Sequence, residues 1–233
     1  MTTKQHKFSR LEKVIGKDNL DILSKKSVLI LGCGGVGGYV AEALARSNVG
    51  TLILVDFDDV DISNINRQIV ALTSTVGKNK IDVLEERIND INDKCKVLKI
   101  KKYIDLDNYL ELFDYDIAFF VDACDTVSVK KAVIKECINR NISMISSMGT
   151  GNKLDPSKLE IVDIRKTVND PLARIIRKFV KDEKIKGKVM VLSSTELPKK
   201  TGDRTPGSTA FVPSSAGLLI ASYVVRSFIE NSQ

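Results

Sequence analysis

The chain has 233 residues, 43% hydrophobic and 28% charged, with a formal net charge of +6. That length and balance suit one large α/β domain, or a domain with an appendage, and leave room for a polyanionic partner. The four cysteines, Cys33, Cys95, Cys124 and Cys137, form no C-x-x-C pair, which argues against a disulfide framework or a zinc ribbon. The polar, basic first ten residues carry no secretory signal, so a cytoplasmic location is expected.

In chain order, Leu11 to Leu23 reads as a short helix interrupted near Gly16. The apolar run Ser27 to Leu31 predicts a strand. Gly32-Cys33-Gly34-Gly35-Val36-Gly37-Gly38 then turns into a helix reaching Ser47, and Thr51 to Asp56 predicts the next strand. Gly77 to Asn92 places Ile81, Leu84, Ile88 and Ile91 at helical spacing. Lys96 to Tyr103 alternates like a half-exposed strand, and Ile117 to Val121 reads as a buried parallel one. Val127 to Arg140 is its return helix and Ser143 to Ser147 a further strand.

After Gly151 the pattern changes. Leu159 to Ile164 and Lys188 to Ser193 predict strands. Asp170-Pro171 opens a helix running to Asp182, with Asp at the cap and Pro at the first helical position. Glu196 to Ser208 reads as a mobile loop, and Ala216 to Ile229 as a very apolar last helix. Arg226 and its limited length favour a packed interface helix over a stable membrane span. Together these elements predict a Rossmann-like α/β fold: a doubly wound, mostly parallel sheet with a C-terminal α+β extension. Residues 1–151 are expected to form the nucleotide-binding part with its N-terminal helix. Residues 152–233 are expected to be a substrate-binding and dimerisation extension of the same globule.

The glycine turn carries the first chemical signal. Glycines permit positive φ and a close approach of backbone to phosphate, and free N–H groups at a helix start receive the anion. Asp56 lies at the distance expected of an acid that holds ribose hydroxyls. On the glycines and Asp56 alone, an NAD site is the favoured reading. The polar cluster that follows, Asp56, Asp58, Asn64, Asn66, Arg67 and Gln68, exceeds what a hydride carrier needs and fits a nucleotide whose phosphates react.

The segments Gly32 to Gly37, Asp56-Phe57-Asp58, Ser63 to Gln68, Val76 to Lys80 and Val121-Asp122-Ala123-Cys124-Asp125 together resemble the adenylating enzymes of the ubiquitin-activating and molybdopterin/thiamine-activating superfamily. The resemblance implies ATP with Mg²⁺ as cofactors. Gly32, Gly34, Gly35, Gly37, Asp56, Asp58, Asn64, Arg67 and Lys80 would contact the nucleotide. Asp56 would hold the ribose, Arg67 and Lys80 the phosphates, and Asp125 the metal. It further implies a homodimer, with Arg10 from the N-terminal helix reaching the neighbouring subunit's site. Arg67, Lys80, Asp125 and Arg10 are thus the candidate catalytic residues.

Ile164 to Ala173, together with Ser9 to Gly16, resembles the tRNA threonylcarbamoyladenosine dehydratases, and that resemblance runs from Phe8 to the C-terminal helix. It implies ATP-dependent cyclisation of the threonylcarbamoyl group on adenosine 37 of tRNA, and leaves room for a cysteine desulfurase or sulfur-acceptor partner. The alternatives are activation of a ubiquitin-like sulfur-carrier C-terminus and, on the glycine turn alone, an NAD-dependent dehydrogenase. The absence of zinc-binding cysteine pairs argues against carrier activation, and no cysteine follows Cys137 to support a thioester route. Arg165, Lys166, Arg174, Arg177, Lys178, Lys199 and Lys200 are candidate tRNA contacts, with a solvated surface as their plain alternative.

Overall fold

The computed structural model describes residues 5–202 and 205–230. A seven-stranded sheet forms the middle layer, in the order β3-β2-β1-β4-β5-β7-β6. Its members are β1 Ser27–Leu31, β2 Thr51–Val55, β3 Lys96–Ile100, β4 Phe119–Asp122, β5 Met144–Ser147, β6 Leu159–Asp163 and β7 Met190–Ser194. All pairings are parallel except the edge pair of β6 and β7. The chain leaves β1 toward β2 on one side and returns through β4 on the other, so β1/β4 is the topological switch point.

Strand alternation separates the two cores. Val28 and Ile30 of β1, with Leu52 and Leu54 of β2, pack on one face. There they meet α3 Gly37–Arg46, α4 Lys80–Ile91 and α7 Phe211–Glu230. Leu29, Leu31, Ile53 and Val55 pack on the other face, against α5 Val127–Asn139 and α6 Pro171–Asp182. The N-terminal segment forms two short helices, α1 Ser9–Ile15 and α2 Lys17–Leu23, broken at Gly16 with φ 83°. Asp170 caps α6 by accepting from Ala173 N–H, and Pro171 takes the first helical position.

Three expectations differ in extent. The third strand stops at Ile100, where it forms the sheet edge beside β2. The fourth helix starts at Lys80 rather than Gly77, because Gly77 holds φ 84° in the preceding turn. The last helix begins at Phe211, taking in Pro213 within its first turn, where a missing N–H costs nothing. It is the one described helix long and apolar enough to cross a membrane, yet Val212, Ala216, Ile220, Val224 and Phe228 lie in the core. Of the expected loop Glu196 to Ser208, residues 196–202 and 205–208 have no helix or strand, but the segment is tied down: Glu196 carboxylate accepts from Leu154 and Asp155 N–H, and Lys199 N–H reaches Asn152 O.

Candidate active site

A cleft of about 780 Å³ opens at the carboxyl ends of β1, β2, β4 and β5. The glycine turn forms part of its wall, and close packing dictates the glycines. Gly32 has φ 88°, and a Cβ there would lie 2.8 Å from Ala123 O; at Gly37 a Cβ would lie 1.8 Å from Gly32 O. The N–H groups of Gly34, Gly35 and Val36 have no acceptor among the described residues and are available to an anion.

Asp56 braces that turn. Its two oxygens accept from Cys33 N–H at 2.7 Å and Asp58 N–H at 2.9 Å. A carboxylate has about four acceptor positions, so it keeps capacity for hydroxyl donors. Asp58, at the first residues after β2, accepts from Lys80 Nζ at 2.6 Å. The Lys80 side chain is only 6% exposed, so it is held in the cleft wall and is not a solvated surface lysine. Its place at the start of α4 comes from Asn79, whose amide donates to Asp58 O and Asp59 Oδ1. Arg67 sits just beyond a short 3-10 turn, Ile62–Asn64, which Asp61 and Asn64 close reciprocally. Among the described residues only its Nη1 is engaged, donating to Ser63 O and Asn66 Oδ1, each at 2.9 Å, and the rest of the fork is unpaired there. Gln68, also in the cleft wall, has a buried Oε1 with no partner among the described residues. Asp125 lies exposed at the rim beyond β4.

The structure therefore gathers Gly32, Gly34, Gly35, Asp56, Asp58, Asn64, Arg67, Lys80 and Asp125 on one cleft, with Gly37 packed directly beneath the turn. Arg10 does not join them; it is an exposed residue of α1. No group of three metal-ligating side chains exists among the described residues. One exposed carboxylate beside a phosphate cradle nonetheless suits Mg²⁺, which takes one or two carboxylates plus substrate phosphates.

Burial disfavours the thiolate form of the cysteines beside the turn and the cleft. Cys33 is fully buried; burial, and then the Asp56 charge, push its thiol well above the ordinary range. Burial, followed by Asp122, likewise raises Cys124.

The sequence-based reading missed what lies under the floor. Asp122 and Lys130 are both 0% exposed and meet at 2.7 Å, with Ser146 Oγ donating to the same carboxylate oxygen at 2.6 Å. Lys153 and Asp170 form a second sealed pair at 2.8 Å. A signal existed: Lys130 falls on the apolar stripe Val129, Val133, Ile134 and Cys137 of α5, where a cation needs a buried partner.

The candidate RNA contacts divide. Arg165, Arg174, Arg177 and Lys178 line a second concavity of about 700 Å³, joined by Lys181, Lys184 and Lys186. Arg165 is braced by Asp163 and Arg177 by Thr167, whereas Arg174, Lys178, Lys181, Lys184 and Lys186 have no ion pair among the described residues. Lys166 and Lys200 do not line this groove. Lys199 is held at Asn152, whose neighbour Gly151 lines the first cleft, because the returning chain crosses there.

Comparison with known proteins follows the same pattern. The ThiF family model matches residues 8–227. This chain belongs to the ThiF family. It is 44% identical, over 97% of its length and 96% of the relative's, to a tRNA threonylcarbamoyladenosine dehydratase of Bacillus subtilis (strain 168). The E. coli tRNA N6-threonylcarbamoyladenosine dehydratase, TcdA, solved in complex with ATP, superposes with a TM-score of 0.91 at 32% identity, covering 97% of this chain and 95% of that one. E. coli MccB shares the fold, with a TM-score of 0.70 at 24% identity over 99% of this chain and 66% of that one. The expected doubly wound α/β fold and the expected family are thus both found in this ThiF member.

Proposed function

We propose that this chain is an ATP-dependent tRNA threonylcarbamoyladenosine dehydratase acting at adenosine 37, with ATP in the first cleft and the RNA backbone on the second groove. The supporting observation is the convergence of free turn N–H groups, Asp56, Arg67, Lys80 and Asp125 on one cleft in a chain 44% identical to such a dehydratase. Asp56 takes the ribose hydroxyls. The turn N–H groups, Arg67 and Lys80 hold the phosphates. A carboxylate oxygen of the threonylcarbamoyl group bonds to the α-phosphorus as the bond to the β-phosphate oxygen breaks and pyrophosphate leaves. Fixed cations stabilise the charge that builds on the phosphates. Asp125 would hold Mg²⁺, which adds further positive charge there. Closure within the substrate then expels AMP, which carries off the carboxylate oxygen, while the proton of the attacking group passes to solvent. Holding both ends of one substrate together favours that step.

Nothing in this route needs a thiol, so a sulfur-acceptor partner is not part of the proposal. The test is nucleoside mass spectrometry of threonylcarbamoyl-tRNA incubated with the protein, Mg²⁺ and either ATP or NAD. The expected product is lighter by one water, appears with ATP only, and forms with release of AMP and pyrophosphate. Product with NAD alone, or none with ATP, would sink the reading.

Residues 152–233 supply the groove, and in it the unpaired Arg174 and Lys178 are the cleaner probes, since Arg177 also holds Thr167. Affinity for tRNA should fall with salt, because each neutralised phosphate releases counterions. Removing Arg174 and Lys178 should flatten the log–log salt slope by about one for each phosphate that the groove no longer neutralises, and leave ATP affinity unchanged. Filter binding at several ionic strengths measures this. An unchanged slope would make the groove a solvated face.

The active unit in this proposal is a homodimer whose partner supplies Arg10, which is exposed on α1 and does not line the cleft of its own chain. The helix α7 leaves Phe211, Leu218 and Leu219 exposed on the side away from the core, an apolar face suited to a second copy. Mixing Arg10→Ala with Asp125→Ala protein should then restore activity through one intact composite site per heterodimer. No recovery where mass photometry or native mass spectrometry shows heterodimers would refute sharing of the site.

A further inference from the structure

Two buried ammonium groups are committed to one short stretch of cleft wall. Lys130 Nζ donates to Ser147 O at 3.0 Å, and Lys153 Nζ donates to Gly149 O at 2.6 Å. The two lysine side chains are 0% and 1% exposed, and Asp122 and Asp170 neutralise them. Buried ion pairs carry a desolvation cost that apolar packing would avoid. Two of them behind Ser147 to Gly151 are a costly way to hold a mere connector.

The N–H of each of these peptides points the opposite way. A planar trans peptide sends its C=O and N–H in opposite directions, and no described peptide is cis. Holding Ser147 O on Lys130 turns Met148 N–H toward β7, where it meets Leu192 O at 2.8 Å. Holding Gly149 O on Lys153 turns Thr150 N–H away from the sealed pair, and there it meets nothing. The N–H groups of Gly149, Thr150 and Gly151 all lack an acceptor among the described residues, and all three residues line the cleft. Bulk at Gly149 would press on the same pair, since a Cβ there would lie 3.1 Å from Asp170 Oδ2. The cleft thus has two sets of free backbone donors, one at the glycine turn and one at the exit of β5.

We propose that Gly149–Gly151 is an oxyanion-binding strip for the acyl end of the substrate, with Lys153 as the residue that positions it. It receives the substrate carboxylate, and then the carbonyl oxygen of the acyl adenylate. This inference rests on the adenylating reading above. During closure the attacking group bonds to the carbonyl carbon and negative charge moves onto that oxygen. The charge returns as the bond to AMP breaks. Donors fixed in advance at that oxygen lower the barrier.

Replacing Thr150 by its α-hydroxy acid deletes one N–H and keeps the side chain; Thr150→Ala does the converse. Lys153→Met with Asp170→Asn removes the positioning pair together while Asn keeps the helix cap. The readouts are turnover, affinity for ATP, and affinity for an acylsulfamoyl adenosine, a stable mimic of the acyl adenylate. The ester variant is expected to lose about 10²–10³ in turnover and about tenfold in affinity for the mimic, with ATP affinity retained and both losses larger than those of Thr150→Ala. The paired variant should show the same split between mimic and ATP. Wild-type turnover and mimic affinity in the ester variant would overturn the proposal. Should the unmodified protein bind ATP and the mimic yet leave tRNA unchanged, the dehydratase reading falls, and the mimic comparison still decides the strip.

Discussion

Lys80→Ala is expected to lower ATP-dependent turnover by about two orders of magnitude or more, the usual scale for a lost electrostatic stabiliser, while the protein stays folded. Lys80 is a cation at the first position of α4, next to the positive end of the helix dipole, where it is mildly unfavourable for the helix itself. What offsets this is Asp58, whose carboxylate takes the Nζ at 2.6 Å at the edge of the first cleft. Asp58 is 46% exposed, so without Lys80 it becomes a hydrated carboxylate and no buried charge is left unpaired. Turnover and stability should therefore separate cleanly. The same separation is expected for Arg67→Ala, whose fork is half free, and for Asp125→Ala, which stands exposed at the rim. Steady-state kinetics beside thermal melts measure it. Near-normal turnover in all three variants would remove these residues from the activation step.

The reverse pattern is expected at Lys130. Lys130→Met leaves Asp122, 0% exposed, without its counter-ion at the centre of the sheet. Ser146 Oγ and Cys124 N–H would remain on the carboxylate, at 2.6 and 3.2 Å, and neither carries a compensating charge. Breaking a buried pair from one side costs about 3–5 kcal/mol. In a chain of this size that is a fall in Tm of about 6–20 °C. Adding Asp122→Asn should recover most of the loss, because the uncompensated charge is gone. Calorimetry of the single and double variants decides the point. A single variant that melts with the wild type would show that the pair contributes nothing to the fold.

These two lysines illustrate what could be read in the sequence. Lys80 follows a glycine turn, an acid after a strand and a polar cluster, all in local order, and its role in the reading came from that order. Lys130 has no such neighbourhood. It is one cation on an apolar helix face, and its meaning depends on Asp122 and Ser146, which only the pairing of β4 with β5 brings beneath it. The candidate RNA cations divide in the same way. Arg174 and Lys178 lie four residues apart on α6 and share a groove as helical spacing requires, whereas Lys199 and Lys200 were grouped with them on charge alone.

By itself the sequence determined the strand and helix periods, the glycine turn, the acid that braces it and the family. The periods, the turn and its acid are short-range patterns fixed by backbone geometry and alternating burial, and the family follows from the order of the motifs along the chain. Strand ends and helix starts shifted where a glycine or the edge of the sheet intervened, at Gly77 and Ile100. Only the tertiary structure decided which distant groups meet: Lys153 with Asp170, Asn152 with Lys199 and Gly207, Asn66 with Ser208. The physical reason is that a buried charge or an orphaned carbonyl is satisfied by whatever the fold brings within about 3 Å, and residue order along the chain does not encode that distance.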